Sequence, residues 1–496
     1  MNNIKLLWSF LIVCLLAACY DDKGNYDYME KLSINVSGIE DDHTVLLMDT
    51  IKFRPEITPA DRKYECFWGV LPKNGYQYQF DTISKEKDWD YVVNLNPGAY
   101  KLRFCVRDVT SGVFTFLEYS LSVVTDMSIG WWVLKEENGK TDLDVFSTDR
   151  KISDLLKTKN GSSLDGSPRN MAFVSDWLNY DEEMDENVIT KTVFVASDQE
   201  VVAVDFFSGA ILRNFDNLFY NKPDVKKPQD VLPALNSVFL VNDNKLYSML
   251  LAGTGKSGFF GDAQLGPVLQ VSPQRVTHKR LAPLFFDEKS CSFFTALGSG
   301  LKLISFPDDE PPVNNLNAEL LYIGAKMGFS TPNNFYALMK SKTGNRYTLS
   351  KLSGEYVSSF PNPMISTRVL DNSLGILSAD YRTMAKDYNL MFFSKGNELW
   401  AFDVEELSEV KQEVSVPVGE KITYMEYLRF TPAFNKDMWF NSVIVGTSKN
   451  GNYTLYRYDV VAGKLQPAVK IGEGTGKVTR ACYLHMNGSV YETELL

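Results

Sequence analysis

A cysteine preceded by leucine and two alanines, Leu16-Ala17-Ala18-Cys19, is the part of this chain best equipped for a covalent reaction. It closes a segment that opens with one lysine, Lys5, and runs apolar through residues 6–16, too short to cross a bilayer as a permanent helix. Small residues before the cysteine fit the cleavage site of a lipoprotein signal peptidase, and the Cys19 thiol would take a diacylglyceryl group. The mature chain is therefore expected to begin at Cys19. Acyl chains such as palmitate would hold it on a membrane, at about 0.8 kcal/mol per buried CH2. No later apolar run reaches spanning length.

Residue types for other chemistry are scarce. Only His43, His278 and His485 are present, none near a second ligand-type residue at metal spacing, and they read as surface or cap histidines. Neither His-Glu-x-x-His nor Gly-x-Ser-x-Gly occurs, which removes the usual signatures of zinc peptidases and α/β-hydrolases. Gly253-Thr254-Gly255-Lys256-Ser257 ends like a phosphate loop, but Leu250 stands where the first glycine belongs. Gly474-Thr475-Gly476-Lys477 fails likewise, with Ile471 at that place, and both runs read as loops between repeats. The acidic run 181–186 lacks the alternating Asp-x-Asp-x-Asp-Gly pattern that wraps oxygens around Ca2+, so it reads as a solvated loop. No catalytic residue, metal ligand or cofactor is assigned. Paired glycosidase carboxylates come from distant strands and leave no local trace.

Aromatic side chains are the remaining candidates, because sugars and peptides bind extracellular receptors by stacking apolar faces on Trp and Tyr rings. Trp177 with Tyr180, Phe259 with Phe260, and Trp439 fall in segments that read as loops. Beyond Cys14 and Cys19, four cysteines remain. Cys66 and Cys105 lie in two expected strands and are open to either a bridge or free thiols; Cys291 and Cys482 are far apart.

The elements that must carry these residues are strands. With 496 residues, 44% of them hydrophobic, the chain exceeds one core, and at least two domains are expected. Over residues 31–126, seven short runs separated by turn residues (32–36, 44–48, 51–57, 64–71, 91–95, 100–106 and 114–124) predict an immunoglobulin-like β-sandwich. From residue 127 to 496 a strand, a tight polar turn and a second strand recur seven times: 131–146, 193–204, 238–250, 293–304, 335–352, 390–402 and 443–458. Turns such as Asn138-Gly139, Asp243-Asn244 and Asn450-Gly451 tolerate the positive φ that hairpins require. The spacing leaves room for two further strands per unit, the size of a propeller blade. The expected fold is all-β: the sandwich, then a β-propeller of seven blades, with eight as the alternative. Residues 478–494 do not complete a repeat and are expected to close the ring on the Trp131-Trp132 hairpin.

Phe67-Trp68 in a middle strand, and Pro97-Gly98-Ala99-Tyr100 leading into a strand that ends Val106-Arg107-Asp108, resemble a PKD-type domain. Joined to Cys19-Tyr20-Asp21-Asp22-Lys23, they resemble the PKD-like family of Bacteroidota lipoproteins. In that resemblance Asp21 and Asp22 are an export signal for the outer face of the outer membrane, residues 1–18 a signal peptide and 19–30 a tether. It further implies a place beside a TonB-dependent transporter and its substrate-capturing lipoprotein.

Charge narrows the partners. The chain carries −11, or −12 once Lys5 is removed with the signal peptide, and an acidic surface without a basic stripe repels nucleic acid. The expected function is a non-catalytic, surface-exposed accessory protein that binds a glycan or a peptide for uptake. A secreted propeller enzyme acting on polysaccharide (glycoside hydrolase or lyase) and a purely structural transporter partner are the alternatives.

Overall fold

In Tyr100-Lys101-Leu102-Arg103-Phe104 every second side chain is basic, and a strand with this alternation has one wet face and one to bury. The computed structural model describes residues 33–72, 80–147, 150–234, 237–250, 255–278, 281–327, 332–354, 360–431 and 436–486. Cys19, Asp21 and Asp22 lie outside them. There Leu102, Phe104 and Val106 are buried in the strand Gly98–Asp108, while Lys101 and Arg107 face water. The chain divides into two units, Met1–Val123 and Val124–Leu496.

The first unit is a sandwich. One sheet runs Asp42–Leu46, Phe114–Val124, Gly98–Asp108, Tyr64–Pro72, Asp81–Ser84, and two pairs, Thr50–Phe53 with Trp89–Val92 and Asn35–Ser37 with Glu56–Thr58, complete it. The run 51–57, expected as one strand, is broken at Arg54-Pro55. Proline has no N–H to donate to a ladder, and the two halves pair with different partners. Trp68 fills the core, 4.5 Å from Phe53 and 4.4 Å from Phe104 between ring centres, and its indole N–H donates to the Glu86 carbonyl at 3.0 Å. The Tyr100 hydroxyl donates to the Asn96 carbonyl at 2.7 Å, pinning the corner before its strand. Cys66 and Cys105 are both free thiols. Cys66 pairs across from Val106 and Cys105 from Phe67, so the two side chains leave opposite faces of the sheet and cannot meet.

In the second unit all seven repeated hairpins form, several in the register that their sequence limits imply: Trp131 opposite Phe146, Val193 opposite Val204, Phe335 opposite Leu352, Val443 opposite Tyr458. Asn138-Gly139 and Asn450-Gly451 take positive φ at both turn residues, as two-residue hairpin turns demand. Each hairpin gains further strands, giving seven sheets in this unit among the described residues. Their inner strands are Lys477–His485, Pro168–Asp181, Pro228–Ala234, Val276–His278, Ala318–Met327, Arg382–Met384 and Lys421–Phe430. Each packs on the next, and the last returns to the first, so the array is a closed β-propeller ring.

Apolar clusters fill the wedges between sheets. Trp132 and Phe173 sandwich Phe206 between the first and second sheets (5.4 and 5.1 Å), and Trp177, Phe194, Leu240 and Phe260 share the next wedge. The last wedge, between the seventh sheet and the first, joins Trp131 and Phe146 to Tyr453, Leu455 and Val478. It also holds a charge. Lys135 is 1% exposed, with its ammonium 3.0 Å from Asp144 and 2.6 Å from Asp154, and Asp144 accepts the Tyr453 hydroxyl at 2.5 Å. Burial disfavours that ammonium, but hydrogen bonds and charge from Asp154 and Asp144 outweigh it and hold the Lys135 pKa above its ordinary value. Gly474 is required here, because a Cβ would stand 2.4 Å from the Asp144 carboxylate.

The ring closes as the incomplete final repeat implies. Lys477–His485 lies antiparallel to Ile129–Glu137, from Ile129 opposite His485 to Glu136 opposite Lys477, with an irregularity at Leu134/Lys135. Gly474-Thr475-Gly476-Lys477 is the turn from the outer strand Val469–Thr475 into this closing strand. Two histidines expected at the surface are buried instead, His278 at 3% and His485 at 5% exposure, because both sit on inner strands of the ring.

Burial depresses the His485 pKa from 6.5 to about 4. The unfolded chain takes up this proton as pH falls through about 6.5, whereas the native protein resists it down to about 4. This group's share of stability is therefore complete above about 6.5 and falls by roughly 3 kcal/mol towards pH 4. Denaturant titration at several pH values should show a smaller acid-side loss in His485→Gln than in the unsubstituted protein. Equal slopes would refute the assignment.

Candidate functional site

An aromatic ring can bind a ligand only if one face reaches solvent, and by that criterion the candidate aromatics separate. Trp177 is fully buried, with its indole N–H directed at the Met249 sulfur at 3.0 Å, and Phe260 is buried in the same wedge. Trp177 and Tyr180, expected in a loop, lie in the long strand Pro168–Asp181. Tyr180 and the half-buried Phe259 meet around Arg213, whose guanidinium donates to the Tyr180 carbonyl at 2.8 Å and lies 3.9 Å from the Phe259 ring centre. These contacts fasten the segment 255–260 to the strand and use up the polar groups. The acidic run beside them forms the hairpin turn, with the Asp181 carboxylate accepting from the Glu183 and Met184 amides.

Trp439 is different. It follows the short turn of helix Lys436–Met438 and stands half exposed, at 50%, just before the strand Phe440–Lys449. Beside it a cleft of about 440 Å3 opens at one rim of the ring. Its floor is aromatic: Phe440 lies 5.5 Å from Trp131, 5.8 Å from Phe430 and edge-on to Tyr483 at 5.6 Å. The Arg457 guanidinium, 5.7 Å from the Phe440 ring, is held by Asp459 at 2.9 Å, and Asp459 also accepts from Ser442 at 2.6 Å. Asn441 donates to Asp387 at 3.0 Å, and its side-chain oxygen is buried without a hydrogen-bond partner among the described residues.

Burial pushes the Tyr483 hydroxyl pKa up, so it stays a neutral donor at physiological pH. The result is a stacking plate beside donors and acceptors whose orientation is fixed by neighbouring groups, an arrangement able to read the faces and hydroxyls of a sugar or the backbone of a peptide. Among the described residues, no group of three or more His, Cys, Asp and Glu side chains is placed to hold a metal ion.

The sequence marks Trp439 only as an aromatic in a segment that reads as a loop. Arg457 and Asp459 lie in and just after the repeated hairpin 443–458, which reads as scaffold. Tyr483 arrives on the closing strand, 44 residues after Trp439, and no local signal links them.

Residues 19–168 match the model of the PKD-like family. No curated protein sequence matches the chain. Among solved structures, the chain is similar to a quinonprotein alcohol dehydrogenase-like protein from Bacteroides thetaiotaomicron, at 12% identity over 92% of this chain and 99% of that one, with a TM-score of 0.40. It is also similar to the dihydro-heme d1 dehydrogenase NirN (10% identity, 78% and 73% covered, TM-score 0.38). A third is the WD40 domain of SCAP from fission yeast (10%, 63% and 75%, 0.33).

Proposed function

We propose that this protein is a lipid-anchored, non-catalytic binding protein of the outer membrane that presents its ring to the cell exterior and captures a glycan or peptide for a TonB-dependent transporter. The observation that carries the binding reading is the rim cleft, in which a half-exposed Trp439 stands beside Arg457, Asp459 and Asn441 over an aromatic floor. The address rests on Leu16-Ala17-Ala18-Cys19 and the acidic pair Asp21 and Asp22. A capture protein needs affinity and selectivity without bond chemistry, and a stacking plate flanked by oriented polar groups supplies both.

Removing the plate should weaken binding while leaving the fold intact. Against a panel of polysaccharide-derived oligosaccharides and of peptides, Trp439→Ala should lose about tenfold in affinity, equivalent to about 1.4 kcal/mol, with an unchanged melting temperature. Unaltered binding in that variant would remove the cleft from the account.

Location has its own test. Cys19→Ala should abolish lipidation, and Asp21→Ala with Asp22→Ala should keep the lipid but lose susceptibility to protease added to intact cells. If the double variant is shaved as readily as the unsubstituted protein, the acidic pair is not an export signal.

A further inference from the structure

A second cavity, of about 190 Å3, lies where the inner strands of the fourth to seventh sheets meet the closing strand. Its wall runs against the charge of the whole chain. Among the described residues, Arg275, Arg382, Lys386 and Arg480 line it with a single carboxylate, Glu426, in a protein of net charge −11. Asp230 lies behind Arg275, paired with it at 2.5 and 3.0 Å, and Arg480 stands 3.8 Å from Glu426. Four cations thus face two carboxylates. Arg382 spends its guanidinium on the Ile376 and Leu377 carbonyls, at 2.8 and 3.1 Å, which orient it without cancelling its charge.

Lys386 is the telling group. It is 5% exposed, lines the cavity, and makes no side-chain hydrogen bond or ion pair to any described residue. A buried ammonium in that state is destabilising unless something else completes it. Solvent reaches the chamber, since the Arg275 and Glu426 side chains are each 20% exposed. The rest of the wall is neutral and polar, with Gln274, Thr277 and Thr383 beside the Tyr322 hydroxyl, which accepts from the Met384 amide at 2.7 Å. The volume is well below the roughly 300–1,000 Å3 of drug-sized pockets.

We propose that this chamber binds a hexuronic acid: the carboxylate is received by Lys386 with Arg382 and Arg480 beside it, and the ring hydroxyls are read by the threonine, glutamine and tyrosine groups. The inference stands independently of the rim cleft. Burial lowers the Lys386 pKa to about 8, opposed by Glu426 and reinforced by Arg480 and Arg429. An arriving carboxylate would raise it again, so binding at mildly alkaline pH should draw in a fraction of a proton.

Titration calorimetry of the full mature chain near pH 8.5, in two buffers of different protonation enthalpy, tests this with D-galacturonate, D-galactose and inorganic phosphate as probes. Galacturonate is expected to bind at least tenfold more tightly than galactose or phosphate, with proton uptake. Lys386→Met should weaken it at least tenfold, whereas Trp439→Ala should leave it unchanged. The proposal is overturned if galacturonate gives neither heat nor a melting shift at about 10 mM. It is equally overturned if galactose binds as well, if phosphate binds better, or if the Lys386→Met variant binds normally. Should that variant fail to fold, the tenfold preference of the unsubstituted protein for galacturonate over galactose and phosphate decides, and its absence overturns the proposal.

Discussion

The pairing of Lys477–His485 on Ile129–Glu137 is the constraint on which the second unit depends. Each sheet can cover its apolar faces only against two neighbours, so a ring missing one contact exposes two faces and two strand edges at once. Bringing together segments separated by about 340 residues carries a loop-closure cost that grows only logarithmically, on the order of 5 kcal/mol. One ladder and the wedge of Trp131, Phe146, Tyr453 and Val478 are enough to offset it. The buried Lys135 and its carboxylates Asp144 and Asp154 all belong to the first sheet, and a slipped closure would take from them the Tyr453 hydroxyl on Asp144 and the Thr475 hydroxyl on Lys135.

The legible parts of the fold were those decided locally. Turn residues and flanking β-branched and aromatic runs specified the seven hairpins, and the partner of Val193 or Val443 could be counted from the turn. Inner strands were harder, because they are buried on both faces and carry little alternation: Pro228–Ala234 is buried at all but one position, and Val276–His278 is only three residues long. The same blindness explains the histidines, whose burial follows from sitting near the ring interior. In the sandwich, Trp68 and Tyr100 carried a clear signal, whereas the break at Pro55 was missed because the flanking residues all favour strands.

Sites were less legible than strands for a physical reason. Trp439, Arg457 and Asp459 come from one hairpin of the seventh sheet, but Tyr483 comes from the closing strand, so the cleft is complete only after the ring has formed. An isolated aromatic in a sequence is as compatible with a core as with a cleft; Trp177 and Trp439 looked alike until exposure separated them. The cationic chamber gave no sequence signal at all, since its four cations are dispersed from Arg275 to Arg480 in an acidic chain. Both cavities are consequences of closure, one on the rim and one between the inner strands.

Closure is therefore the claim to test first. Deleting residues 477–496 removes the closing strand while leaving every hairpin of the other sheets intact. The truncated second unit should lose cooperative thermal unfolding and aggregate through its exposed edges, read by size-exclusion chromatography and calorimetry. A truncated protein that stays monomeric, with an unchanged melting temperature, would contradict the closed ring.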